Sequence, residues 1–251
     1  MHLVALPDDW PAERATLRRV LTHVVARAQQ DATGHLALVA LPGGMGTPQF
    51  GPGRRRVRLS GGSLYVEDAD GERDGEAAAT TVVAPVAGSP IRELCALAGV
   101  EPAPAMSVGD DTPPLGDPDE PIALDPAAVT LLGDWWALGQ RAIDAVLASL
   151  PDPRASVVRL WPEHLDVAVD LAVDPAGRPG ARVNLGASAG DDARQEPYLY
   201  VGPWGAERPG PEAFWDQPFG ATLGYGDVDV AEQPLAAATE FLLRGVALLR
   251  S

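Results

Sequence analysis

Apolar residues recur at helical spacing in several stretches of the chain and at alternate positions in short runs between them. Leu17, Val20, Leu21, Val24 and Ala28 form one stripe behind Pro11, and Gly34 closes it. That spacing predicts a first helix. "HLALVAL" then reads as a buried strand, "GGMGTPQFGPG" as a loop, and "RRVRLS" with "SLYVEDA" as a hairpin turning at Gly61-Gly62. "TTVVAP" is a further short strand. Ile91, Leu94 and Leu97 mark a short amphipathic helix around Cys95.

The order recurs later. Asp125 caps a helix that Pro126 opens, with Val129, Leu132, Trp136, Ile143, Val146, Leu147 and Leu150 on one stripe, and Pro151 and Pro153 end it. Strands are predicted near 156–161, 164–173, 181–186, 197–202 and 219–225. A last helix from Pro234 carries Leu235, Ala238, Leu242, Val246 and Leu249. Between the two sets, residues 101–125 interleave six prolines with seven acids, and no basic residue occurs between Arg92 and Arg141. Proline removes donors and acids repel one another, which predicts an exposed, extended connector. The expected fold is α+β: two sequential halves, 1–100 and 126–251, each a helix plus antiparallel sheet with helices covering one sheet face.

The alternation within three strands concentrates polar side chains on one side. Written as a strand, 161–171 points Trp161, Glu163, Leu165, Val167, Val169 and Leu171 one way, and His164, Asp166, Ala168 and Asp170 the other. Arg182, Asn184 and Ser188 oppose Val183, Leu185 and Ala187. Glu196, Tyr198 and Tyr200 oppose Leu199 and Val201. Consecutive pairing would merge the polar faces into one patch, with Trp204 and Trp215 in the following loop. Aromatic walls with a few directional polar groups suit a small-molecule pocket; aromatics are equally ordinary core filler.

Composition narrows the functions. The chain has 251 residues with a formal charge of −16, and all of its bases are arginine, a bias typical of high-GC, actinobacterial coding. Strong negative charge disfavours nucleic acid and anionic membranes as partners. The cluster Arg54, Arg55, Arg56 and Arg58 would be split by strand alternation and reads as a guarded edge strand. No apolar run approaches the ~20 residues of a membrane span, and the N-terminus lacks a signal-peptide pattern. The expectation is a cytoplasmic protein. A single cysteine, Cys95, forms no intramolecular disulfide and reads as a buried inert thiol.

The chemistry then rests on few groups. His164 is the candidate general base, held by Asp166 or Glu196. Arg182, Asn184, Tyr198, Tyr200, Trp204 and Trp215 are the candidate ligand contacts. His164, Asp166 and Glu196 or Asp170 could meet a metal, but without a second histidine no metal is assigned. Ser188 reads as a turn residue beside Gly190. "GGMGTP" lacks the Gly-Lys-Ser/Thr ending of a phosphate loop, and no cofactor is assigned.

"LWPEHLDVAVDL", "VNLGASAGDDARQEPYLYVGPW" and "FWDQPFGATLGY" resemble a family of uncharacterised actinobacterial proteins that read Trp-Pro-Glu-His-Phe-Asp, Gly-Ala-Ser-x-Gly-Asp and Glu-Pro-Tyr-x-Tyr-Val. Leu165 stands where the family has Phe, and Leu185 where Tyr is common; both keep an apolar face. The resemblance implies no reaction. "VRLSGGSLYVEDADGE" through "IRELCALAG" is also similar to sterol-carrier-like domains, which implies a sheet with helices over an apolar cavity. Two functions stay open. One is a binding protein or enzyme for small polar molecules, with its pocket on the polar face. The other is a non-catalytic interaction or structural protein in which "WPEH" and "YLYVGPW" are packing motifs.

Overall fold

The computed structural model describes residues 3–41, 43–70, 72–73, 76–174 and 180–251, without the side chains of 72, 73, 76 and 77. The fold is α+β, with two five-stranded antiparallel sheets. The chain divides into two compact units, one of Ala5–Asp134 with Leu160–Leu165, the other of Trp135–Arg159 with Asp166–Ser251 and the N-terminal Leu3 and Val4. The division falls inside a helix rather than at the proline-rich stretch.

The first unit begins with α1 (Trp10–Val20), which runs through a π-helical turn (Leu21–Ala26) into α2 (Arg27–Thr33) and stops at Gly34. Every residue of the π turn is buried. Its sheet orders β1 (Val39–Leu41), β2 (Gly44–Gly46), β3 (Arg55–Ser60), β4 (Ser63–Asp68) and β7 (Thr80–Pro85). Two short strands, β5 (Glu72–Arg73) and β6 (Glu76–Ala77), pair separately. The Gly61-Gly62 hairpin joins β3 and β4 as expected, with Ser60 opposite Ser63. α3 (Ile91–Ala98) carries Cys95, fully buried, its thiol pushed up to about 11 by burial.

Three expectations change here. Gly44–Gly46 of the expected glycine-rich loop is strand, and glycine permits close approach on both sides of it: a Cβ on Gly44 would lie 1.9 Å from the Leu59 carbonyl oxygen, and one on Gly133 2.7 Å from the Gly44 nitrogen. The arginine-rich strand β3 is interior, between β2 and β4, and not an edge. Its arginines pair with acids instead: Arg55 with Asp68, and Arg58 with Glu67, each at 2.9 Å; just before the strand, Arg54 pairs with Asp70. The 101–125 stretch is largely exposed, as expected, but it is not lightly packed throughout, because 113–124 is held down. Pro113, Leu115, Ile122 and Leu124 are buried. Arg18 and Arg19 donate to the carbonyls of Asp111 and Asp117, and Arg92 forks onto Asp119. Arginines of α1 and α3 offset part of the acid repulsion and tie the backbone down, while its few apolar side chains enter the core.

α4 (Pro126–Ser149) is the long helix expected after Asp125, whose carboxylate accepts the Ala127 N–H. The other five-stranded sheet orders β12 (Ala221–Gly224), β11 (Tyr198–Pro203), β10 (Arg182–Ser188), β9 (Asp166–Ala172) and β8 (Arg159–Trp161). Val167, Val169, Leu171, Val183, Leu185, Ala187, Leu199 and Val201 are buried on one face, as alternation predicts. Helices cover that face closely. A Cβ on Gly139 of α4 would lie 2.4 Å from the Ala187 Cβ, and one on Gly245 of α6 (Pro234–Arg250) 2.7 Å from Val201. α5 (Tyr225–Asp229) lies between β12 and α6 and fixes the N-terminal residues: Tyr225 donates to the Val4 carbonyl at 2.6 Å, and Asp229 accepts the Leu3 N–H.

Candidate functional site

The opposite face of β9–β12 gathers most of the expected polar residues. Register puts Asp166, Ser188, Tyr198 and Gly224 in one row, Ala168, Gly186, Tyr200 and Thr222 in the next, and Asp170, Asn184 and Gly202 in a third. Ala172 and Arg182 follow, and the Trp204 N–H donates to the Arg182 carbonyl at 3.0 Å. Consecutive pairing thus merges three half-polar strands into one surface.

Within it the tyrosines are consumed by acids. Tyr200 lies across Gly186, where a Cβ would come 2.4 Å from its ring. The absent side chain lets the ring reach over β10, and its hydroxyl donates to Asp166 Oδ2 at 2.5 Å. Tyr198 donates to Asp191 Oδ2 at 2.5 Å. Asp191 is held in turn, its Oδ1 accepting the Ala193 and Arg194 N–H groups at 2.8 Å. Burial first, and the adjacent carboxylate second, raise both phenols well above their ordinary value, so they are donors rather than bases. Phe219, 41% exposed, caps this end with its ring 6.4 Å from Tyr198 and 6.5 Å from Tyr200.

The other end of the face is built differently. Arg182 and Asp170 form an ion pair. Trp204 donates its indole N–H to Asn184 Oδ1 at 2.8 Å, yet remains 58% exposed. One edge of the indole is therefore fixed, the Arg182 guanidinium lies 5.8 Å from the ring centroid, and the rest of the ring stays open to solvent. The edge strand carries a third arrangement: Thr222 accepts from Arg194 at 2.9 Å and donates to Asp216 at 2.7 Å.

His164 does not stand on the strand face where alternation puts it. His164 lies in a turn, because Leu165 takes a left-handed φ of 51° and is buried, and β9 begins only at Asp166. The period-two alternation assumed across 161–171 is broken at that residue. His164 is 52% exposed and faces Asp111 at 3.4 Å and Glu163 at 4.0 Å; its own unit supplies both contacts. Glu196 is exposed. Trp215 donates to the Pro209 carbonyl and packs against Phe214 and Arg208; none of these belongs to the polar rows. Ser188 is the last residue of β10 rather than a turn residue, and its hydroxyl accepts the Gly190 N–H where the strand ends. Among the described residues no cluster of His, Cys, Asp and Glu could hold a metal ion.

Sequence reasoning missed Asp191, Phe219 and Glu163. Asp191 follows Gly190 in "SAGDD", a turn signal that places an acid just before a tyrosine strand. Glu163, which alternation places with the core-facing set, is 6% exposed, and its Oε2 has no hydrogen-bond partner among the described residues. A concavity of about 570 Å3 lies at the edge strand, bounded by Thr222 of the second polar row, Leu223, Phe214, and Glu240 and Phe241 of α6. Comparison with protein-family models, curated proteins and solved structures gives no match.

Proposed function

We propose that this protein binds a small, neutral, polar molecule on the polar face of β9–β12, and binds it rather than transforming it. The observation that carries the reading is Trp204. Its indole is held by Asn184 and more than half exposed. An indole fixed in this way stacks on a flat ligand with little further loss of side-chain freedom. Beside it, Arg182 is matched by Asp170, so that end of the face offers directional groups without net charge. A binding role is favoured over catalysis because His164 has Asp111 and Glu163 as its ionic neighbours, while Asp166 accepts from a protonated tyrosine. The reading includes a cytoplasmic setting, consistent with a single buried thiol and with no described helix long and apolar enough to cross a membrane.

A second reading has its own support. The Tyr200–Asp166 and Tyr198–Asp191 pairs are structural locks, and a face made only of locks would belong to an interaction or structural protein. The two readings separate at Trp204. Tryptophan fluorescence of the wild type is followed during titration with glucose, uridine and glutamine. At least one of them should give a saturable change that Trp204→Ala abolishes, with the unfolding free energy altered by less than about 0.5 kcal/mol. No response in the wild type, or an undiminished response in Trp204→Ala, would leave the structural reading in place.

A further inference from the structure

The first unit ends in an edge that most proteins guard. β7 closes its sheet beyond β4, and no further described strand pairs with it. Edge strands are normally blunted by charge, by proline at the pairing positions, by bulges or by short length, because their free N–H and C=O groups template pairing with another chain. The opposite edge, β1, is blunted by length, at three residues. β7 has six residues, and Thr81, Val82 and Val83 are exposed, the valines at 51% and 49%. No charged residue occurs from Ala77 through Ile91, on a chain of net charge −16. The acids directly across the sheet, Glu67 opposite Thr81 and Asp68 opposite Thr80, are paired with Arg58 and Arg55, each at 2.9 Å. Most of this protein's surface repels a second copy electrostatically; this edge does not.

Register fixes which backbone groups are free. The Val86 N–H donates to the Gly62 carbonyl at 2.9 Å. Continued along the pairs Leu64–Ala84, Val66–Val82 and Asp68–Thr80, that parity turns the even-numbered residues toward β4. Thr81 and Val83 therefore direct their N–H and C=O groups outward. Pro85 also faces outward, where its missing N–H costs nothing to the ladder; its carbonyl accepts the Ser89 hydroxyl at 2.7 Å.

We infer that β7 is a self-association surface, and that its occupant is the β7 strand of a second copy, paired antiparallel about a two-fold axis through Val82. In that register Thr81 of each copy exchanges both backbone hydrogen bonds with Val83 of the other, giving four bonds. The two Val82 side chains meet at a non-hydrogen-bonded position, where Cα atoms of paired strands lie about 4.5 Å apart. The arrangement is self-complementary as a two-fold contact must be. It stops at two copies, because the only long free edge among the described strands is used up and β1 is too short to continue a filament. One strand pair buries less than the ~800 Å2 per partner of a standard interface, so the association is concentration-dependent. It stands independently of the ligand reading, which concerns the other unit.

Sedimentation equilibrium across a concentration series tests it together with three variants. The wild type should move from one to two chain masses as concentration rises. Val82→Lys, which places like charges on the axis, should remain a single chain at every concentration while keeping the wild-type unfolding midpoint. Val82→Cys should form a covalent dimer on oxidation, since Cys95 is buried, and Val83→Cys should not, because its partner is Thr81. A wild type that stays a single chain throughout overturns the inference. So does a dimer that survives Val82→Lys, or equal cross-linking of the two cysteine variants.

Discussion

Tyr200 is the side chain on which the polar face is organised. Its ring occupies the space that any residue but glycine at 186 would take, and its hydroxyl serves Asp166. Tyr200→Phe removes that donor from a part-buried carboxylate, and urea unfolding should show a loss of about 1–3 kcal/mol. Gly186→Ala should cost a similar amount, about 1–3 kcal/mol, by lifting the ring rather than by deleting the bond, and the double variant should cost less than the sum, since both act on one contact. His164→Ala is expected to behave oppositely. A half-exposed imidazole whose nearest acid oxygen is 3.4 Å away contributes little, and the change should stay within about 0.5 kcal/mol. A loss of several kcal/mol there would mean that the turn depends on its imidazole.

At the scale of elements, the 101–125 stretch departs furthest from its composition. Proline and acid density predict a solvated connector, but density says nothing of where the few apolar residues point. Leu115, Ile122 and Leu124 are buried, and the Ile122 backbone bonds both ways with Gly88 and Ser89. Ile122→Ala should therefore destabilise by about 2–4 kcal/mol. Limited proteolysis of the wild type should spare 113–124; first cleavage inside that span would contradict the burial. The β9 strand teaches a related lesson. Its alternation from Asp166 onward was legible, because one buried face forces period two. Its start was not, since the left-handed Leu165 is a non-glycine exception that pattern does not announce.

For the whole molecule, stability should be bounded on both sides by groups whose protonation is shifted by folding. Burial lowers the His23 imidazole below its ordinary 6.5. The folded chain thus resists a proton that the unfolded chain accepts, and the contribution, present above about pH 6.5, fades as pH falls through the folded value. The phenols of Tyr198 and Tyr200 and the Cys95 thiol shift the other way, chiefly through burial. Their contributions are intact below the unfolded values and are lost as pH rises through the folded ones, from about 9 upward for the thiol and about 10 for the phenols. Urea midpoints measured from pH 5 to 11 should peak between these arms. Tyr200→Phe should flatten the alkaline arm by one proton and leave the acid arm unchanged; an unaltered alkaline slope would show that Tyr200 titrates normally.

Local pattern alone determined the α+β class, the Gly61-Gly62 hairpin, the long helix after Asp125, and which residues of β9, β10 and β11 share a face. Each of these follows from the period of a single segment, which a chain carries whatever it packs against. The tertiary structure decided the rest. It chose which strand became an edge, so that β3 lies inside and β7 outside. It pressed an acidic stretch onto arginines far from it in sequence, and opened the polar face at Trp204 while filling it at Tyr200. It also kept His164 out of the strand whose face was meant to carry it. Those outcomes depend on pairing order, on close approach at Gly186 and on one left-handed residue, which are properties of contacts between segments and not of any segment by itself.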